Sequence, residues 1–359
     1  LAGGAMAGPL PTLSGVEVDG VSDDRAAVER TRAFVKVQDG CSFHCTYCII
    51  PTARGPERSL PPGEVVADVR RALDHGHREI VLTGINIGTY DGGWSERGFR
   101  GAHTRAALTL GGLVERILAE TAVERLRLSS IEPQHVDDEL LTVWAAASGR
   151  CLPHFHLPLQ SGDDGVLRRM GRRYTTAAYR EIVDRIRATV PAAAVHADVI
   201  AGFPGEDAAA WERSVGFIGG LGLAGLHVFR YSPRPGTPAV RMVGAVGEPV
   251  KKARAATLLR LAAERRAAWA AARVGQPAAV LIETRLGDGR WVGHAEDHTV
   301  VAVGDAGNLE NAIGRVVITG VDDGQADRAV GRLTGIDRPR RALRPSLRML
   351  PSQEAAHVR

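Results

Sequence analysis

The sequence predicts an α/β protein in which a partial (β/α)6 barrel, similar to a TIM barrel, is followed by a small all-β barrel. Between residues 32 and 250, short apolar strands alternate with amphipathic helices and Gly-rich turns, which is typical of parallel βα units. After Gly275 the pattern changes to short alternating strands joined by Gly and Asp turns. That pattern is typical of a small β barrel of about sixty residues.

Six predicted strands form the first barrel. They are AFVKVQ, EIVLTGI, RLRLSSI, HFHLPLQ, AVHADVIAGF and LHVFRYS. The helices between them have an apolar face; in PGEVVADVRRALDHG this face contains Val65, Val66, Val69 and Leu73. Right-handed crossovers would curl such units into an open or closed barrel, with functional residues just after the C-terminal ends of the strands.

Changes in composition set the predicted domain boundaries. We expect a lead-in at 1–31, the α/β barrel at 32–250, a basic connecting helix at 251–274, the small β barrel at 275–335 and a basic, disordered tail at 336–359.

The connecting helix has a shared face of Leu258, Leu261, Ala262, Arg265 and Trp269. Its arginines allow two interpretations. The helix either packs on the barrel with solvated arginines or presents a basic surface to RNA.

Composition excludes several classes of protein. The 359 residues are 44% hydrophobic and 24% charged, with a net charge of +4, which is ordinary for a globular protein. This basic excess is weak evidence for a nucleic-acid partner, because solvated surface charge also explains it. No apolar run approaches the ~18 residues of a membrane span, and the start lacks the features of a signal peptide. Four cysteines in a chain of this length do not make a disulfide framework. Their clustering indicates a metal site and a reducing cytoplasm.

Three cysteines lie close together in the segment CSFHCTYC, directly after the first strand. Cys41, Cys45 and Cys48 have the spacing C-x3-C-x2-C. A closed zinc site takes four ligands, usually from two C-x2-C-like pairs, and no second pair exists here. A cubane iron–sulfur cluster usually takes four thiolates, so three would leave one iron open. An open iron can bind a small molecule and pass an electron to it.

This segment resembles the C-x3-C-x-aromatic-C signature of the radical S-adenosylmethionine (SAM) enzymes. The resemblance implies that Cys41, Cys45 and Cys48 are catalytic ligands of one [4Fe–4S] cluster whose open iron chelates SAM. Reductive cleavage of SAM in that family gives methionine and a 5′-deoxyadenosyl radical that abstracts hydrogen from an unreactive carbon. Tyr47 occupies the aromatic position, whose backbone commonly lies near the adenine.

Further motifs resemble the methylthiotransferase branch of this family over roughly residues 32–334. The segments that carry the resemblance are TGINIGTY, RLRLSSIEP, HFHLPLQSGDDGVLRRMGRRYT, HADVIAGFPGE and HVFRYSPRPGTPA. It implies SAM contacts at Tyr47, Thr83, Gly84, Ser130, Glu132, Gln160, Arg173 and Gly202. Each of these residues also has an ordinary structural interpretation, such as a turn glycine, a strand-end cap or a surface arginine.

The small β barrel resembles a TRAM domain, an RNA-binding module of tRNA-modifying enzymes. The TGINIGTY segment resembles the enzymes that add a methylthio group to C2 of N6-threonylcarbamoyladenosine at position 37 of tRNA. The alternatives are an isopentenyladenosine tRNA substrate, a ribosomal protein substrate, or a SAM-cleaving and RNA-binding remnant without methylthio transfer. The implied partners are the tRNA anticodon loop and an electron donor such as flavodoxin or ferredoxin, with a monomeric chain.

The sequence departs from this family in three places. Full-length relatives have an amino-terminal domain whose three further cysteines hold a second cluster. This chain starts at Leu1 without such cysteines, so we expect a truncated product or fragment and no second cluster. The Gly- and Arg-rich loop at 91–106 is long, and could be a lid, an RNA contact or a passive insertion. Arg230 replaces a Pro that is frequent in relatives.

The fourth cysteine and two nearby histidines have structural interpretations. We interpret Cys151 as a small buried hydrophobe. We expect one member of the His154 and His156 pair to face the barrel interior, as a satisfied core histidine rather than a ligand.

Overall fold

A computed structural model describes residues 31–93, 108–304 and 307–338. The predicted lead-in through residue 30, residues 94–106 of the Gly- and Arg-rich loop and the tail from residue 339 lie outside the described residues.

The first barrel has six parallel strands, as the sequence predicts. They are β1 (Arg32–Lys36), β4 (Glu79–Thr83), β5 (Arg125–Leu128), β6 (His154–His156), β7 (Ala194–Ala201) and β8 (Gly225–Arg230). They form two sheets in the orders β1-β4-β5 and β6-β7-β8. Parallel bridges from Leu126 to Cys151 and from Ser130 to His156 connect β5 with the segment around β6. The strands therefore follow one another in a partial barrel with β1 and β8 at its edges.

Two short strands, β2 (Gln38–Asp39) and β3 (Arg58–Ser59), form an antiparallel pair on either side of the cysteine segment. The helices are α1 (Ile50–Arg54), α2 (Pro62–Asp74), α3 (Leu110–Glu120), α4 (Asp138–Ala146), α5 (Asp164–Met170), α6 (Thr176–Thr189), α7 (Ala208–Gly219) and α8 (Glu248–Ala272). Side-chain oxygens cap several N-termini. The Asp163 carboxylate, for example, accepts from the Val166 amide at 2.9 Å and fixes the start of α5. Among these helices, none is both long and apolar enough to cross a membrane.

Alternate residues of each barrel strand face opposite sides. In β7, Val195 and Val199 are buried in the core beneath the helices. Ala197 shares their face, so the alternate residues His196 and Asp198 face the barrel interior. The same alternation brings polar side chains from β4 to β8 into this interior.

The second barrel is closed and has its own apolar core. Its strands are β9 (Pro277–Arg285), β10 (Trp291–His294), β11 (Val300–Val303), β12 (Ile313–Asp322) and β13 (Gln325–Asp337), in the closed order β10-β11-β13-β12-β9. The segment 290–304, with its two apolar stretches, forms two strands, because the chain turns at residues 295–299. The predicted fold class, a partial α/β barrel followed by a small β barrel, is confirmed.

The β barrel docks against the N-terminal end of the α/β barrel strands. Arg125, at the start of β5, donates to the carbonyl of Ala279 at 2.9 Å and to that of His294 at 3.2 Å. Thr31 and Arg32 both bond the Glu283 carboxylate, at 2.9 and 3.0 Å. The cysteine segment lies at the opposite end of the α/β barrel, where the strands have their C-termini.

Helix α8 packs against both barrels. Leu258 and Ala262 are fully buried, and Arg266 pairs with Asp327 of β13 at 2.9 Å. The face that the sequence assigned to this helix therefore serves packing.

A buried ion cluster joins β4 and β5 near the N-terminal ends of the α/β barrel strands. The Glu79 carboxylate is fully buried and accepts from Arg125 and from Arg127, each at 2.8 Å. Burial alone would raise the pKa of Glu79, but the two guanidinium groups outweigh it and lower the pKa from 4.5 to about 2. The carboxylate therefore stays ionised between two cations.

Replacing Glu79 by Gln should destabilise the chain by about 3–5 kcal/mol at pH 7, because it leaves buried guanidinium charge uncompensated. The folded-state pKa lies below the ordinary value of 4.5, so the stabilising contribution is present above that pH. It declines as the pH falls from 4.5 towards 2. Urea unfolding at pH 7 and pH 3 measures both effects.

The matched control is Glu181→Gln on the exposed side of α6, for which we expect a change within about 0.5 kcal/mol at either pH. If both substitutions changed the free energy of unfolding equally, the buried ion cluster would not stabilise the barrel. A Glu79→Gln change that is as large at pH 3 as at pH 7 would also contradict this role.

Candidate active site

The cysteine segment forms a loop at the C-terminal mouth of the α/β barrel, between β2 and α1. Gly40 begins it with φ +72°, where a side chain would collide with the carbonyl of Pro56. The Cys41 amide then donates to the Gly55 carbonyl at 3.0 Å, and the Cys48 amide donates to the Cys45 carbonyl at 3.0 Å. The first bond joins the start of the loop to the end of α1, and the second forms a turn between the second and third cysteines.

The turn that follows α5 supports the middle of the cysteine loop. The Thr46 amide donates to the Met170 carbonyl at 2.9 Å, and the Thr46 hydroxyl donates to the Arg169 carbonyl at 2.8 Å. Gly171 ends α5 with φ +76°, and a Cβ on it would lie only 2.9 Å from the His44 carbonyl oxygen. Close backbone contact here requires glycine.

The three thiols are partly exposed at the mouth of the barrel. Burial raises the pKa of the Cys41 and Cys48 thiols, because their thiolates lose hydration. Bound metal would reverse this preference by supplying positive charge.

A buried arginine contacts one of these thiols. The Nη1 atom of Arg172 lies 3.4 Å from the Sγ of Cys45, and its Nε donates to the Tyr174 hydroxyl at 3.0 Å. Its Nη2 forms an ion pair with the Glu132 carboxylate, and its side chain is 3% exposed. Burial raises the pKa of Glu132, although Arg172 opposes this shift.

Arg173, for which the sequence predicts a SAM contact, and its neighbour Arg172 contact different partners. The structure places the exposed Arg173 guanidinium over the Phe43 ring, 4.8 Å from its centre, and turns Arg172 towards Cys45. Both arginines are in the RRMGRRY segment, and nothing in the sequence separates adjacent residues of the same type.

The predicted SAM-contact residues Thr83, Gly84, Ser130 and Glu132 lie at or after the C-terminal ends of β4 and β5. The Thr83 carbonyl accepts from the Val37 amide at 2.8 Å. A Cβ on Gly84 would lie 2.6 Å from the Gln38 carbonyl oxygen, so this glycine allows close packing. Ser130 pairs with His156 across the junction between the two sheets. The structure brings these residues to the same mouth as the cysteine loop.

Gln160, Gly202 and Tyr47 lie on the other side of the mouth. Gln160 has φ +70°, uncommon for a residue with a side chain, and its backbone bonds the Asp198 carbonyl and the Ile200 amide. Gly202 has φ +78°, and a Cβ on it would meet the Lys251 side chain of α8 at 2.4 Å. The positive φ and the close packing of α8 both favour glycine at this position.

Tyr47 is largely enclosed. Its ring meets Phe203 edge to face with 6.2 Å between ring centres, and burial raises its pKa well above the ordinary value.

Three polar side chains meet where β6, β7 and β8 lie side by side; His156 and Asp198 are partly buried and His227 is exposed. His156 Nε2 lies 2.7 Å from Asp198 Oδ1, and His227 Nδ1 lies 3.2 Å from the same oxygen. One nitrogen or oxygen atom from each of the three side chains lies within 4.8 Å of the other two. Burial opposes ionisation of Asp198, but the two imidazoles outweigh it, so the Asp198 pKa is lowered below its usual range.

Both histidines of β6 belong to the interior. The His154 ring is buried and stacks on His298 of the β barrel, 4.7 Å between centres, while His156 joins Asp198. The expectation that one of the two faces inward is wrong, because residues two apart in a strand share a face. Cys151 is buried, as expected, and burial raises its pKa to about 12.

Comparison with known proteins agrees with this geometry. The model of the Radical SAM superfamily matches residues 35–218. The tRNA-2-methylthio-N(6)-dimethylallyladenosine synthase of Maricaulis maris (strain MCS10) is 35% identical over 322 residues, covering 89% of this chain and 68% of that protein. This chain belongs to the radical SAM tRNA methylthiotransferases. The threonylcarbamoyladenosine tRNA methylthiotransferase MtaB of Bacillus subtilis (strain 168) is 41% identical over 239 residues, covering 67% of this chain and 51% of that protein.

The chain thus spans about two thirds of the first relative and about half of the second. Among solved structures, the radical SAM methyltransferase TsrM from Kitasatospora setae, with cobalamin and a [4Fe–4S] cluster bound, aligns with a TM-score of 0.46 and 18% identity. That alignment covers 58% of this chain and 38% of TsrM. Radical SAM enzymes use a [4Fe–4S] cluster and SAM, and Cys41, Cys45 and Cys48 have the expected spacing.

The close approach of Gly171 to the cysteine loop gives a specific prediction. Gly171→Ala should lower the iron and sulfide bound per chain after anaerobic reconstitution, because the new methyl group displaces the loop at His44. Iron and sulfide analysis, with thermal unfolding alongside, measures this effect.

Gly149→Ala is the matched control, since Gly149 also has a positive φ of +93° but an added Cβ would meet no atom within 4 Å. Both variants should lose about 1–3 kcal/mol of stability through backbone strain. Equal cluster content in the two variants would show that the turn does not support the loop.

Proposed function

We propose that this chain uses a radical SAM reaction to add a methylthio group to C2 of N6-threonylcarbamoyladenosine at position 37 of tRNA. One observation carries the proposal: in a chain of this family, three cysteines form an anchored loop at the mouth of a six-stranded barrel with a polar interior. The SAM-contact residues suggested by the sequence border the same mouth.

The residues divide into three roles under this proposal. Cys41, Cys45 and Cys48 hold the cluster. When bound, the cluster and SAM supply a carbon radical that can remove hydrogen from an unreactive carbon. Thr83, Gly84, Ser130, Glu132 and Gln160 bind and orient SAM beside the loop, with Tyr47 and Gly202 near the adenine. The barrel wall excludes water from the reacting atoms.

The choice of substrate rests on three observations. The TGINIGTY segment resembles the threonylcarbamoyladenosine enzymes, and the Bacillus subtilis relative has that specificity in its name. The cluster of His156, Asp198 and His227 can also form hydrogen bonds with a polar N6 substituent. The alternative substrate, isopentenyladenosine, is supported by the Maricaulis maris relative.

The partner in this proposal is the anticodon loop of tRNA, whose bases can be splayed out into a pocket. The β barrel serves as the RNA-binding module that its resemblance to a TRAM domain implies. Arg315 of β12 and Arg332 of β13 are exposed on its outer surface and can contact phosphates. A flavodoxin or ferredoxin would supply the electron, and the chain would act as a monomer in the cytoplasm.

The first test is anaerobic reconstitution of the full chain, followed by dithionite and SAM. We expect 5′-deoxyadenosine to form with the wild-type chain and not with Cys45→Ala. Mass spectrometry then compares tRNA that carries threonylcarbamoyladenosine with tRNA that carries isopentenyladenosine. A methylthio mass on the first alone supports the proposal.

A methylthio mass on the second tRNA alone would reassign the substrate. SAM cleavage without any transfer would favour a SAM-cleaving remnant. Unchanged SAM cleavage by Cys45→Ala would overturn the radical mechanism.

The second test concerns RNA binding. The double substitution Arg315→Gln with Arg332→Gln should weaken tRNA binding, because two cations that can pair with phosphates are removed. It should also reduce the slope of log K against log salt by roughly 0.7–0.9 for each phosphate that the barrel no longer neutralises. Fluorescence anisotropy at several salt concentrations measures this slope.

The control replaces Arg70 of α2 and Arg116 of α3 by Gln. Both are surface arginines, and both pair with Glu120 at the end of α3. Equal slopes for the two double variants would remove the β barrel from the RNA-binding surface.

A further inference from the structure

We propose that Arg172 is a positioning residue that fixes Cys45 and raises the reduction potential of the cluster, while Glu132 lowers that potential. The inference rests on the proposed function only in requiring a cluster on the three cysteines. It does not depend on which tRNA is modified.

The Arg172 guanidinium uses all three of its nitrogen atoms at this site. Nε donates to the Tyr174 hydroxyl, Nη1 lies 3.4 Å from Cys45 Sγ, and Nη2 contacts Glu132. The Tyr174 hydroxyl is held in turn by the Pro158 carbonyl at 2.7 Å. The planar guanidinium is therefore fixed in one orientation, and it holds Cys45 from the side of the barrel.

Lysine cannot reproduce this arrangement. Its ammonium group is a single charged point, whereas a guanidinium forms several hydrogen bonds in a fixed plane. A lysine at position 172 would keep a positive charge near Cys45 but could not bond Tyr174, Cys45 and Glu132 with separate nitrogen atoms.

Charge determines the expected effect on the cluster. Reduction adds one negative charge, which a nearby cation stabilises and a nearby anion destabilises. The Arg172 side chain is 3% exposed and Glu132 is 17% exposed, so water screens these charges weakly. Hydrogen bonds to the sulfur ligands are a known means of setting the potential of an iron–sulfur cluster. The arginine is the nearer of the two charges to sulfur, because it contacts Cys45 directly.

The thiol contact and the ion pair also distinguish Arg172 from the other arginines of its segment. Arg169 donates to the carbonyls of Pro204 and Val243, and Arg173 lies over Phe43. Of these three arginines, Arg172 is the one whose charge is directed at a cysteine of the loop.

The experiment is a redox titration of the reconstituted full chain, followed by EPR, without tRNA or SAM. Arg172→Gln should lower the midpoint potential and Glu132→Gln should raise it. We expect each substitution to change the ratio of reduced to oxidised cluster at a fixed potential by about tenfold. For a one-electron couple this equals about 59 mV. Arg172→Lys should lie closer to the wild type than Arg172→Gln.

Arg173→Gln is the matched control, since it removes the same charge from an exposed neighbouring position. We expect it to shift the ratio less than threefold. If Arg172→Gln fails to bind four irons, Glu132→Gln and Arg172→Lys still test the charge effect. A merely structural role for this pair would not move the potential in opposite directions for the two charges.

Equal potentials for Glu132→Gln and the wild type, or equal shifts for Arg172→Gln and Arg173→Gln, would overturn the inference and leave the proposed function standing. If the wild-type chain itself assembles no cluster, the proposed function fails and this inference fails with it.

Discussion

The fit between the cysteine loop and the turn after α5 is the interaction on which the rest of the site depends. Two hydrogen bonds from Thr46 and the absence of a side chain at Gly171 place the loop against this turn. The next residue, Arg172, then reaches Cys45. A loop with three metal ligands has little structure of its own, so its geometry comes from the barrel segment that it contacts. The same turn thus fixes both the position of the thiols and the charge beside them.

The two ends of the α/β barrel contact different parts of the chain. At the N-terminal end, Arg125 and Arg32 tie the β barrel to the strands. At the C-terminal end, the cysteine loop and the strand ends form the mouth. Such a division is general for barrels of this kind, because side chains at the C-terminal ends of parallel strands converge. The β barrel is thus attached at one end, and the cysteine loop lies at the other.

The sequence predicted the parts of the molecule that depend on local pattern. Strands such as EIVLTGI have short apolar runs bounded by turn residues, and the cysteine spacing is itself local. Long-range contacts left no such signal. Nothing in the sequence shows that Glu283 of the β barrel accepts from Thr31, or that Asp198 meets histidines of two other strands. Whether Arg172 or Arg173 reaches Cys45 depends on how α5 ends at Gly171, which spacing alone does not reveal.

Three protein thiols that hold a cluster with one iron open to SAM are the centre of the proposed chemistry. EPR spectroscopy of the reduced full chain, recorded before and after addition of SAM, tests this arrangement most directly. We expect the g values to change when SAM is added, because SAM would bind the iron that has no cysteine ligand. A reduced cluster whose spectrum is unaffected by saturating SAM, or a chain that binds a single zinc ion and no sulfide, would contradict it.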